Sequence, residues 1–159
     1  MGDWRDIGCG NAGGEKRLKE IMNTKLDLSS LEGAIKALQT SIEVYHKYDK
    51  DDADLSESLR SGVIQNFEVA YELCWKFMKR WLEININPDI VSGVTRKEFY
   101  RIAGENKLIA DVEKWWAFHD GRNRASHVYD GAVADDVLET AFQFLPHAKT
   151  FVSVLEQKL

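Results

Sequence analysis

Between residues 54 and 82 the chain repeats apolar side chains every three or four positions with no proline to interrupt them. Val63, Phe67, Ala70, Cys74, Phe77 and Trp81 fall on one side, and Ile64, Tyr71, Trp75 and Met78 widen it. A stripe with a period near 3.6 residues belongs to an amphipathic helix, and one this long must be covered by other helices along most of its face. The rest of the chain supplies them. Leu31, Ile35, Leu38, Ile42 and Tyr45 predict a first helix ending near Tyr48. A run over 108–126 carries Trp115, Trp116 and His119, and a shorter one runs from Thr95 to about Ala103. Val137, Ala141, Phe144, Leu145, Ala148, Phe151 and Leu155 predict a last helix, with a kink at Pro146 where a backbone donor is missing. Nothing alternates with the period of a strand over a useful length, and nothing repeats. The expectation is an all-α fold: an antiparallel up-and-down four-helix bundle with one additional short helix, the 54–82 helix at its centre.

Helix starts are marked by Ser29-Ser30-Leu31-Glu32, Asp54-Leu55-Ser56-Glu57 and Thr95-Arg96-Lys97-Glu98, which read as capping boxes, and by Asp130, placed to cap the last helix. Residues 49–54 read as an acidic solvated connector, and residues 84–93, with Asn85, Asn87 and Pro88, as a loop. Residues 1–21 show no periodicity, and Met22 directly precedes the first patterned segment. The expected division is therefore an N-terminal extension over 1–21, disordered or non-native, and a bundle domain over 22–159.

With 159 residues, 44% hydrophobic and 30% charged, the chain is expected to be one soluble domain able to bury a core. No apolar run approaches the roughly 18 residues a membrane span needs, and a secretory signal is lacking, which predicts a cytoplasmic protein. Cys9 and Cys74 provide neither a disulfide framework nor a zinc ligand set, so no metal and no cofactor are expected. The net charge of −5 excludes a general nucleic-acid coat but leaves room for a local phosphate-binding patch. Arg96, Lys97, Arg101 and Lys107 form the most basic stretch, read here as an ordinary charged surface, with a phosphate-facing edge as the alternative. Gln65, Glu68, Glu72 and Lys76 lie on the polar stripe of the long helix, where solvation is the default and Glu72 and Lys76 pair at i,i+4.

The densest chemistry lies in Gly121-Arg122-Asn123-Arg124-Ala125-Ser126-His127-Val128-Tyr129-Asp130. On a continued helix Trp116, Asp120, Asn123 and His127 share one stripe, while Trp115, His119, Arg122 and Ser126 share the next. Arg122 and His127 would stand about 140° apart. They can meet on one reactant only if the last turn unwinds or a second copy supplies the other half. Asp130-Gly131 suits such a break. Tyr129, two residues past His127 in an expected extended stretch, points to the same side. Alone, the segment also fits a capped helix end with a satisfied histidine.

Taken together, several blocks resemble the nucleotidyltransferase substrate-binding family, a branch of the HEPN helical bundles. They are Gln65-Asn66-Phe67-Glu68-Val69-Ala70-Tyr71-Glu72-Leu73-Cys74-Trp75-Lys76, Thr95-Arg96-Lys97-Glu98 through Gly104 and Leu108-Ile109, the Arg122–Asp130 segment, and Leu145-Pro146. The resemblance spans roughly residues 25–157. It implies a protein that works with a minimal nucleotidyltransferase encoded nearby. In the HEPN toxin branch Arg-x4-His-x-Tyr is a ribonuclease motif, matched here by Arg122, His127 and Tyr129, with Asn123 beside them. Such toxins resemble one another as homodimers whose two motifs face each other, silenced when the partner transfers AMP from ATP to the tyrosine. The resemblance thus implies metal-independent RNA cleavage by Arg122, His127 and Asn123, modification at Tyr129, and supporting places for Glu72, Lys76 and Ser126. Arg124 departs from the pattern, an apolar residue being more usual there. The alternative is a non-catalytic substrate-binding subunit of a two-component nucleotidyltransferase; a purely structural bundle ranks below both.

Overall fold

The long apolar stripe is buried as its period requires. In the computed structural model, which describes residues 26–48 and 51–159, it lies on a helix running Ala53–Asn85 (α2), preceded by Ser29–Lys47 (α1). Arg96–Glu105 (α3), Val112–Arg124 (α4) and Gly131–Lys158 (α5) follow, with a 3-10 turn at Ala125–His127 between the last two. There is no strand among the described residues. The expected extension over 1–21 lies outside them. The architecture is the expected antiparallel bundle of four long helices with α3 as the additional short one. No helix among the described residues is long and apolar enough to cross a membrane.

α2 packs along α1 and α5, and α5 also covers α4, while α3 lies chiefly against α4. Val63, Phe67, Ala70, Cys74, Met78 and Leu82 of α2 are sealed from solvent, as the predicted central position demands. The middle of the core is aromatic. Trp115 meets Phe118, Phe144 and Phe151 edge-to-face at 5.6, 5.7 and 5.9 Å between ring centroids. Phe67 and Phe118 meet Phe144 in the same way at 5.2 and 5.3 Å. Such edge-on contacts place the positive rim of one ring on the negative face of the next. Burial pushes the Cys74 thiol far above its ordinary range, so it stays protonated and acts as a small apolar side chain.

Carboxylates and one threonine decide where the helices begin, and two of the expected capping boxes do not form. α1 is preceded by Asp27, which accepts from the Ser29 N–H at 2.9 Å and from its hydroxyl. Asp52 caps α2, accepting from Asp54 N at 3.1 Å and Leu55 N at 3.2 Å. An ionised cap also complements the positive end of the helix dipole, which favours Asp27 over the serines of the first box, while in the second one aspartate, Asp52, takes the cap position from another, Asp54. The Thr95 cap is as expected, its hydroxyl accepting from Glu98 N at 3.2 Å, and so is Asp130, accepting from Ala132 N at 3.0 Å.

α4 starts later than its apolar pattern suggests. Leu108 and Ile109 are buried, but they sit in the turn that ends α3, where Lys107 adopts φ +59° and Leu108 N donates to Ala103 O at 3.0 Å. Asp111 then caps α4 through Lys114 N at 3.0 Å. Burial in a turn looks the same as burial on a helix when only the residue types are read. Near the other end of α4, Gly121 lets α5 approach so closely that a Cβ there would lie 2.6 Å from Thr140 Cγ2. That contact fixes the height at which Arg122 and the 3-10 turn emerge.

Candidate functional site

The helix carrying the motif tightens before it ends. α4 stops at Arg124 and the next three residues wind as a 3-10 turn, so the last turn tightens instead of unwinding. Val128 to Asp130 is a turn rather than the expected extended stretch: Val128 has ψ near 0° and Asp130 N donates to His127 O at 3.3 Å. His127 and Tyr129 still lie together, their rings edge-to-face at 6.1 Å. Both face solvent, Tyr129 at 88% exposure. Among the described residues, no hydrogen bond joins Arg122 to His127.

Arg122 is held from α2. Its Nη1 lies 3.3 Å from Glu68 Oε2, each side chain about one third exposed at 32%. Glu68 is therefore not merely solvated, as its place on the polar stripe suggested. It fixes the guanidinium while solvent screens much of the attraction. The Nε of Arg122 is buried with no acceptor among the described residues. A buried guanidinium donor left open is unusual.

Asn123 is held from the core. Its Nδ2 lies 3.2 Å from His119 Nε2, and His119 Nδ1 lies 2.9 Å from the Tyr71 hydroxyl. Tyr71 is hydrogen-bonded in turn to Tyr100, and Arg96 Nη1 donates to Tyr71 at 3.3 Å. Burial raises the pKa of both tyrosines, so both hydroxyls stay neutral. Burial, and then the Arg96 charge, lower that of His119 below its ordinary 6.5. A neutral imidazole offers one donor and one acceptor, and here one ring nitrogen meets the Asn123 amide and the other the Tyr71 hydroxyl. Tyr71 and Tyr100 escaped the sequence reading as site residues because they sit at core positions, and His119 was placed only on the stripe it shares with Arg122. The signal that could have found them is two tyrosines at core positions, since a buried phenol requires a hydrogen-bond partner.

The lowered His119 pKa makes a prediction with a definite sign. Its stabilising contribution is complete above the unfolded value of 6.5 and is lost as pH falls through the depressed folded value, because the unfolded state then binds more protons. Asp120 and Glu72 oppose that loss weakly, and Arg122 reinforces it. Thermal unfolding of wild type should therefore shift downward on acidification from pH 7, and His119→Gln should flatten that part of the curve. Identical profiles would separate the His119 contacts from the stability of the bundle.

The remaining expected site residues fall into place around this core. Glu72 and Lys76 pair at 3.9 Å on α2, and the Glu72 charge reaches Tyr71 and His119. The Ser126 hydroxyl donates to the Asn123 carbonyl at 2.8 Å, so it secures the helix end. Arg124 pairs with Asp136 of α5 at 2.9 Å, which ties the 3-10 turn to the next helix. Of the two tryptophans, Trp115 is core and Trp116 is half-buried, stacked near His119 at 5.4 Å with Lys97 over it at 6.0 Å. Nor is the basic stretch uniformly a surface. Arg101 pairs with Glu98 at 2.7 Å, whereas Arg96 lies half-buried, 3.9 Å from the centre of the Trp75 ring.

Comparison with known proteins agrees with this fold. The family described as "Nucleotidyltransferase substrate binding protein like" matches residues 26–157. A protein of Haemophilus influenzae named probable ribonuclease HepT is 34% identical over 142 residues, covering 87% of this chain and 97% of its own length. A solved structure from Haemophilus influenzae, described as revealing the fold of a substrate-binding domain of a nucleotidyltransferase, is similar with a TM-score of 0.77 and 32% identity. That similarity covers 82% of this chain and 99% of the solved one. This chain belongs to the nucleotidyltransferase substrate-binding-protein-like family.

Proposed function

We propose that this chain is a metal-independent endoribonuclease that works as a homodimer and is silenced by a minimal nucleotidyltransferase encoded nearby. The observation that carries the reading is the half-buried Arg122, its Nε unpartnered, preceding by one short turn an exposed His127 and Tyr129. The name of the Haemophilus relative, a probable ribonuclease, supports the same chemistry.

RNA can be cleaved without a metal when its 2′-hydroxyl attacks the adjacent phosphorus. A base removes the hydroxyl proton, an acid protonates the departing 5′ oxygen, and positive charge stabilises the phosphorane between them. His127 serves in proton transfer, being exposed and of the one residue type that changes charge near neutral pH. Arg122 holds phosphate oxygens, and Asn123, fixed by His119, orients the phosphate or the imidazole. One chain brings a single histidine to the site, and two chains meeting at the ends of α4 bring the second needed for separate base and acid.

Tyr129 is the silencing point in this reading. Its hydroxyl oxygen attacks the α-phosphorus of ATP, pyrophosphate leaves, and the hydroxyl proton passes to solvent. The attached AMP is a bulky anion beside His127 that competes with RNA for Arg122. The exposure of Tyr129 also favours a second reading, in which the chain is a non-catalytic subunit that binds the nucleotidyltransferase and presents or recruits its substrate.

The test uses purified full-length chain and labelled RNA in excess chelator. Cleavage leaving a 2′,3′-cyclic phosphate and a 5′-hydroxyl is expected, and prior treatment with the partner enzyme and ATP should add one AMP mass at Tyr129 and stop it. A protein that binds the partner but leaves RNA intact belongs to the second reading.

A further inference from the structure

We propose that the cavity between α2, α3 and α4 is a subsite for a phosphate of the RNA flanking the scissile bond, an inference that rests on the ribonuclease reading. The cavity holds about 420 Å³ and is lined by Trp75, Lys79, Thr95, Arg96, Phe99 and His119 among others.

Its charged groups are both cations. Lys79 has Glu83 at 3.8 Å on its own helix, an exposed pair that leaves most of the charge available. Arg96 has no carboxylate within ion-pairing distance among the described residues; its guanidinium is hydrogen-bonded to the Tyr71 and Tyr100 hydroxyls and its face rests on Trp75. Stacking fixes the plane of the guanidinium while most of its donors remain unused. Thr95 accepts a backbone bond through its hydroxyl oxygen, which leaves the hydroxyl proton to donate. A cavity whose walls offer donors and positive charge selects an acceptor-rich anion, and a phosphate fits that description best.

The position of the cavity favours a phosphate in a chain over one that is free. The wall residue His119 holds Asn123, and Arg96 holds the Tyr71 hydroxyl that anchors His119. One unbroken set of contacts therefore runs from the cavity to the motif. A strand lying across the end of α4 with one phosphate at Arg122 has a neighbouring phosphate to offer here. Such contacts position the strand without reading its sequence.

The test measures binding separately from cleavage. A 2′-O-methyl oligoribonucleotide lacks the attacking hydroxyl and cannot be cut, so its dissociation constant reports the binding surface alone. Arg96→Gln and Lys79→Glu should each weaken it by about tenfold for any base sequence, and Arg96→Gln should lower the salt dependence by about one counterion. The Lys79 side chain is nearly half exposed and pairs within its own helix, so its variant keeps the fold and decides the matter if Arg96→Gln unfolds. Unchanged affinity in the folded variants overturns the inference, while the cleavage assay of wild type continues to judge the ribonuclease reading. If wild type ignores the oligonucleotide but binds ATP in a way that depends on Lys79 and Arg96, the cavity belongs to a free nucleotide and the RNA assignment is overturned.

Discussion

His127→Ala should lower the rate of RNA cleavage by between about 10²- and 10⁴-fold, the span associated with one positioned proton-transfer group. Its unfolding midpoint should not move, because the side chain is exposed and, beyond the ring contact with Tyr129, secures nothing in the bundle. Arg122→Ala should cause a loss of about 10²- to 10³-fold, and Arg122→Lys should not restore it, since a point charge does not reproduce a planar fork. The pair also tests the dimer. Wild type co-refolded with an excess of either variant forms heterodimers with one imidazole or one guanidinium, so activity per wild-type chain should fall. Activity per wild-type chain that stays constant in the mixture would confine the site to a single chain. Equal activity of wild type and His127→Ala would remove the histidine from the chemistry altogether.

Trp115→Ala carries the largest expected effect on stability. The indole is 2% exposed and touches Tyr100, Phe118, Phe144 and Phe151, so its removal leaves a void between α3, α4 and α5 that these rings cannot close. Aromatic-to-alanine changes at such positions cost about 3–5 kcal/mol, against a total stability of about 5–15 kcal/mol for a domain. The midpoint of thermal unfolding should fall by on the order of 10 °C. Trp115→Phe keeps an edge for the neighbouring rings and should recover about half of that loss. A midpoint within a degree or two of wild type would contradict the placement of Trp115 at the centre of the core.

The bundle could be read from residue order because its physics is periodic. Apolar stripes at 3.6-residue spacing can be satisfied only by facing other stripes, and Phe67, Cys74, Phe144 and Phe151 lie where that rule puts them. Helix ends were less accessible, because several residues compete for each cap: Asp27 and Asp52 prevailed over the serines and aspartate a few positions on. The motif was visible as a set of residue types, Arg122, Asn123, His127 and Tyr129, since guanidinium, amide, imidazole and phenol seldom crowd together for packing alone. Their supports were not. Glu68 looked like one more solvated carboxylate and Tyr71 like one more core ring, because a contact between α2 and α4 joins residues about 50 positions apart and leaves no local pattern. Arg96 was hidden differently: a cation counts as surface until something shows it lying flat on an indole.

The turn between α4 and α5 has a consequence for anything carried on Tyr129. Only Val128 and Tyr129 separate His127 from Asp130, and Asp130 is already committed to α5 through Ala132 N. Arg124 and Asp136 clasp the two helices just beyond. The phenol is thus mounted on a very short leash whose two ends are fixed. A group attached there can move only by rotation of the tyrosine side chain and its own bonds, so its reach is centred on the imidazole beside it.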